Sequence, residues 1–171
     1  MGEYDYRNCM SLFGYAAEVH RRSGGVCQLC GAGAAALDFD LWRQMTVEHL
    51  IGESQGGYLK QVKGEPRPTL SGAVHWRDRL LAAEIDAANT VTACSFCNST
   101  TSRDRAPVSM TELIETAPDG PRDEVLKHVA AALDGILAVK RRAVSWKLAS
   151  VRKAFDARAA PALEEARGQL Q

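Results

Sequence analysis

Two cysteine pairs, Cys27 and Cys30 in CQLC and Cys94 and Cys97 in CSFC, constrain the fold of this 171-residue chain more than any other feature. A CxxC pair supplies two sulfur ligands at bite distance, and two pairs complete a tetrahedron. The start, MGEYDYRNCM, has neither the positive nor the apolar region of a secretory leader. A reduced cytoplasmic setting is therefore expected, and with it a structural zinc site rather than disulfides. The alternative, four buried thiols or a redox pair, is disfavoured by the doubling of the motif. Sixty-three residues separate Cys30 from Cys94. The ion must then clamp the two ends of a long module, where a cross-link gains most chain entropy in principle. The fifth cysteine, Cys9, reads as a small apolar residue on a first helix.

Periodicity places elements around these pairs. In YRNCMSLFGYAAEVHRRSGG, Met10, Phe13, Ala17 and His20 fall at helical spacing, with Arg21 and Arg22 near the end and Gly24-Gly25 to stop the helix. Residues 1–26 form a support helix in this reading. Next, AALDFDLWRQMTVEHLI alternates Leu37, Phe39 and Leu41 with Asp38, Asp40 and Trp42 before reaching Thr46 and Val47, the pattern of a strand or hairpin. Residues 58–88 combine a two-proline loop with a short helix in AVHWRDRLLAAEID. From Asn89 a β-prone piece runs into the second knuckle, with a helix starting just after it. His20 and His128 fit helix faces, His75 and Glu53 read as exposed loop or insert residues, and Trp42 and Trp76 as packing aromatics.

Charge is unevenly spread. Residues 1–120 carry 11 Lys and Arg against 15 Asp and Glu, whereas 121–171 carry 10 against 6. No run approaches the ~18 apolar residues of a membrane span. After residue 107 the chain reads as helical: Ser109 with Glu112 makes a capping box, and Pro121 before Asp123 and Glu124 suits the start of a long helix. Val125, Val129, Ala132, Ile136 and either Val139 or Lys140 follow one stripe. Residues 140–158 then concentrate Lys140, Arg141, Arg142, Lys147, Arg152, Lys153 and Arg158 against Asp156 alone. Such a helix suits the phosphates of DNA, with counterion release and a steep salt dependence. A charged solvent face or a homodimer contact is the competing reading.

The segment TVEHLIGESQGG, residues 46–57, sets Glu48 beside His49 and then breaks into glycines. Neighbouring side chains of a flat strand point to opposite faces, so both can serve one site only if the strand ends there. Gly52, Gly56 and Gly57 permit that end.

The order knuckle, acid-imidazole pair, glycine-rich loop, Asn89, knuckle, Asn98 resembles the HNH nucleases, in the subgroup whose ββα-metal core is tied by a four-cysteine zinc ribbon. It covers residues 27–104, and the ordered set is more distinctive than any piece. The resemblance implies an α+β chain: an HNH core over 27–106, flanked by the N-terminal helix and by a helical extension over 107–171, basic at 140–158. It implies a metal-dependent endonuclease acting on DNA phosphodiester bonds. His49 would be the general base, Glu48 and Asn98 would hold one Mg²⁺ or Mn²⁺ against the scissile phosphate, and Asn89 would fix the loop that presents His49. The products would carry a 5′ phosphate and a 3′ hydroxyl.

Two departures matter. Glu48 stands where many relatives have Asp, moving the carboxylate by roughly 1.5 Å, one C–C bond. Asn98 stands where many have His, which favours a hard cation and weak binding completed by substrate phosphate. Two rival readings remain: a non-catalytic zinc-ribbon module that binds DNA or a partner, and an RNA-cleaving nuclease on the same fold.

Overall fold

The computed structural model describes Asp5 and residues 15–58, 79–101 and 104–170. The expectations for Cys9, Met10, Phe13, His75, Trp76 and the two-proline loop lie outside the described residues. Among those described, no helix is long and apolar enough to cross a membrane.

The fold mixes helices with one two-stranded sheet. Helix α1 (Tyr15–Arg22) ends where Gly24 and Gly25 take positive φ values of 62° and 75°, conformations that cost glycine little. Strand β1 (Met45–His49) pairs antiparallel with β2 (Thr90–Cys94), in a register that sets Glu48 opposite Val91 and His49 opposite Thr90. Helix α4 (Ser95–Thr101) leaves the end of β2 directly, so the second cysteine pair straddles a strand-to-helix corner. Helix α3 (Arg79–Asn89) feeds β2 from the other side.

The alternating pattern of residues 37–41 is not a strand. Residues Phe39–Trp42 form one helical turn, α2, because the Asp38 carboxylate accepts a 2.7 Å hydrogen bond from the Leu41 N–H as an N-cap. Leu37 and Phe39, apolar positions of that alternation, are 85% and 69% exposed. A local cap outcompetes a two-residue period that has no partner strand to pair with.

Two helices close the core. Helix α5 (Met110–Glu115) carries the full reciprocal capping box of Ser109 and Glu112. Helix α6 (Arg122–Ala154) begins after Pro121 and spans 33 residues, about 50 Å at 1.5 Å per residue. Its buried face is Val125, Val129, Leu133, Ile136, Leu137, Lys140 and Val144, packed against α3, α4 and α5. The stripe passes through Lys140, and Val139 is 55% exposed. Beyond Val144 the helix is largely exposed and continues through a π-helical segment (Phe155–Ala159) into α7 (Ala160–Gln169). Burial of Met45, Ile51, Ile85, Val129 and Leu133 joins the sheet, the loop after β1, α3 and α6 in one apolar core, each such side chain contributing about 1.5–3 kcal/mol.

Candidate functional site

The four cysteines come together. Their sulfurs lie within 4.8 Å of one another, with Cys27 and Cys97 buried and Cys30 and Cys94 half-buried. None is in a disulfide. Residues 27–32 curl into a tight turn, with the Gly31 N–H on the Cys27 carbonyl (2.8 Å) and the Cys27 N–H on the Ala32 carbonyl (2.9 Å). The Gln28 N–H donates to the Thr92 carbonyl (2.8 Å) and the Cys94 N–H to Cys27 Sγ (3.3 Å), which seats the turn on β2. Hydrogen bonds from Cys94 pull the Cys27 thiol down to about 4. That thiolate, acting through the shared hydrogen bond, pushes Cys94 upward, and burial pushes Cys97 upward. Four clustered thiolates repel one another unless a cation neutralises them. A zinc tetrahedron with 2.3 Å bonds has edges of about 3.8 Å, so this sulfur cluster could hold a structural metal ion such as zinc.

A second site lies at the other end of β1. Glu48, His49, Asn98, Tyr58, Asp104 and Lys140 line a cleft of about 570 Å³. Strand pairing stops at His49, and residues 50–57 turn away through a short 3₁₀ segment (Glu53–Gln55). The imidazole of His49 sits against the Tyr58 ring, centroids 4.0 Å apart. Burial lowers its pKa to about 4, with the Glu53 carboxylate pulling weakly the other way.

The loop after His49 is held by one buried amide. Asn89 Oδ1 accepts from the Ile51 N–H (2.9 Å), while Nδ2 donates to the carbonyls of Ile51 (3.0 Å) and Gly57 (2.9 Å). The approach is so close that a Cβ on Gly57 would lie 1.6 Å from the Ile51 carbonyl oxygen. Gln55 ties the same loop to the segment that precedes α5 by exchanging two 2.9 Å hydrogen bonds with the Ala106 backbone. Asn98, on α4, donates from Nδ2 to Thr46 Oγ1 (2.9 Å), and Thr46 Oγ1 donates onward to the Ala93 carbonyl (2.9 Å). Its amide is thereby oriented across the start of β1.

Of the two candidates for the last stripe position, Val139 and Lys140, the structure buries Lys140, which takes it out of the basic run offered to phosphates. Its ammonium is buried, 2.6 Å from Glu48 Oε1, with both side chains 6% exposed. It also donates to the Thr101 carbonyl (3.4 Å), and Thr101 Oγ1 donates to the same Glu48 oxygen (3.3 Å). Lys147 likewise turns inward to the Thr100 carbonyl (2.6 Å) and Asp104 (3.2 Å). Arg141 donates to the Gln28 carbonyl beside the first cysteine pair (2.7 Å), and Arg152 pairs with Asp156 four residues on. Arg142, Lys153 and Arg158 are exposed.

Sequence reasoning therefore missed Lys140, Tyr58 and Asp104 as members of the cleft, and Thr101 as the buried partner of Lys140 and Glu48. Lys140 did carry a signal: it occupies a stripe position four residues after Ile136 and four before Val144, where a charge needs a buried partner.

The chain matches no protein-family model, no curated protein and no solved structure.

Proposed function

We propose that this chain is an endonuclease of the HNH type, hydrolysing DNA phosphodiester bonds with His49 as general base. The observation that carries the reading is convergence. His49 and Glu48 from the end of one strand, and Asn98 from the helix that follows the other, line a single cleft, while Asn89 braces the loop beside it. Strand, strand and helix in that order, tied by a four-cysteine cluster, are what the resemblance implies for the core.

Burial keeps the His49 imidazole neutral at physiological pH, which leaves a ring nitrogen free to accept a proton while making it a weaker base than an ordinary imidazole. A neutral imidazole takes a proton from water, and the hydroxide attacks phosphorus opposite the 3′ oxygen. The 3′ oxygen then leaves as its bond to phosphorus breaks. Asn98 would position a phosphate oxygen from the side of α4.

The resemblance also implies Mg²⁺ or Mn²⁺ on Glu48 and Asn98, an ion that when bound would offset charge on the leaving oxygen. The residues do not fit that ion as they stand. Glu48 is already neutralised by Lys140 at 2.6 Å, and Asp104 faces Lys147 at 3.2 Å. The same ion pair favours a second reading, a zinc-ribbon module that binds DNA without cutting it.

Cleavage of plasmid DNA by wild type and His49→Ala, each assayed for bound zinc and tested with Mg²⁺, with Mn²⁺ and with no added divalent ion, separates the readings. Cutting by wild type that is lost in His49→Ala, at one zinc per chain in both, supports the nuclease. Binding by wild type without cutting of supercoiled, linear or single-stranded DNA supports the idle module, unless RNA is cut under the same conditions.

A further inference from the structure

We propose that Lys140 is the resident cation of the cleft: its ammonium takes the place at Glu48 that a divalent ion would occupy and presents a remaining N–H to a phosphate oxygen. The observations are geometric. A lysine on the apolar stripe of α6 reaches across α4 to a carboxylate on β1, 92 residues away in sequence, and both charged ends are buried. Burying such a pair costs desolvation that an apolar pair of equal volume would avoid, so stability alone gives little reason for it. An ammonium carries three donors, and among the described residues Lys140 uses them on Glu48 and the Thr101 carbonyl only. Lys140 also lines the cleft that holds His49 and Asn98.

Ammonium and divalent ion exclude one another here. Mg²⁺ keeps ~2.1 Å from a carboxylate oxygen, so an ion on Glu48 would become a near neighbour of Lys140 Nζ, like charges with little water between them. The carboxylate has one negative charge to give and has given it. The inference rests on the nuclease reading for what the ammonium faces. There, water gives its proton to His49 and its oxygen to phosphorus. The bond from phosphorus to the 3′ oxygen breaks, and that oxygen takes a proton from solvent while hydrogen-bonded to Lys140. His49 returns its proton to solvent, and the sum is hydrolysis.

The test is made on the zinc-loaded full chain as wild type, Glu48→Gln and Lys140→Met. Mn²⁺ alone is titrated, with the free ion followed by electron paramagnetic resonance. Wild type and Glu48→Gln should take up Mn²⁺ equally, within threefold, and Lys140→Met should bind it at least tenfold more tightly than wild type. Tenfold tighter uptake by wild type than by Glu48→Gln would overturn the proposal, since Glu48 would then be a metal ligand with Lys140 in place. So would unchanged uptake in a folded Lys140→Met. If Lys140→Met does not fold, the comparison of wild type with Glu48→Gln decides alone. Binding of a duplex oligonucleotide in a His49→Ala background gives a second readout. Lys140→Met should lower the slope of log affinity against log salt by about 0.9, one phosphate contact, and an unchanged slope would count against that contact. Failure to cut any nucleic acid, with the Mn²⁺ results as expected, would remove the nuclease reading and leave Lys140 as the cation at Glu48.

Discussion

Replacing Asn89 by alanine removes three hydrogen bonds at once, all of them buried: one accepted from the Ile51 N–H and two donated to the Ile51 and Gly57 carbonyls. Ile51 and Asn89 are both fully buried, so the freed backbone groups do not simply turn to solvent. An orphaned buried group costs about 1–3 kcal/mol. Taking the lower part of that range for each of the three, because water can enter the vacated volume, gives about 4 kcal/mol. With a urea slope of ~2 kcal/mol per molar, the unfolding midpoint of the zinc-loaded protein should fall by about 2 M. Asn89→Asp sharpens the test: one oxygen still accepts from Ile51, but the other now faces two carbonyls that want a donor. Its folded pKa should be raised, so its stability relative to wild type should be better at pH 4 and worsen as pH rises toward 7. Urea melts read by circular dichroism at both pH values would show this. A midpoint drop under ~0.5 M in Asn89→Ala would refute the view that this amide holds the loop.

Three further outcomes are expected. Zinc should bind at one ion per chain and leave on Cys27→Ser or Cys97→Ser, with a chromogenic zinc indicator reading the release; full retention by both variants would exclude the four-sulfur site. Because burial depresses His49 to about 4 from its ordinary 6.5, the imidazole stays unprotonated well below neutrality. The cleavage rate should then be level from pH 7.5 to about 5.5 and fall only toward pH 4, whereas an acid limb centred near 6.5 would contradict the burial. Arg142, Lys153 and Arg158 are the exposed residues of the basic stretch 140–158 that make no ion pair among the described residues. Their joint change to Gln should cut the salt slope of DNA binding by up to about 2.7, three contacts at 0.9 each, if α6 and its continuation run along the backbone. An unchanged slope would make that surface a plain solvated face.

Much of the architecture was legible because it follows short-range rules. Paired glycines stop α1, the Ser109–Glu112 box starts α5, and Pro121 with two acids starts α6. The sulfur cluster was legible because CxxC spacing fixes ligand geometry within each pair. The stretch from Leu37 to Leu41 failed for a physical reason: alternation specifies a strand only where a partner exists, and Asp38 offered the backbone a cheaper local bond. Lys140 was legible in part: its stripe position was, its partner was not. Counted as one of seven basic residues it belongs to a charged run, but counted by helical phase it belongs to the core. Its partner Glu48 lies too far away in sequence for any local pattern to join them, and only the packing of α6 on α4 does so.

The contact between Gly57 and Asn89 carries a consequence for descent. Ile51 leaves no room for a Cβ at residue 57, and the amide at residue 89 has its donor aimed at the carbonyl of that same glycine. Neither position can change freely while the other is kept. Among chains that share this arrangement, the glycine and the asparagine should therefore be inherited as a couple. Where a lineage has lost one, the other should drift, and the pair becomes a marker for recognising distant kin whose remaining residues have diverged.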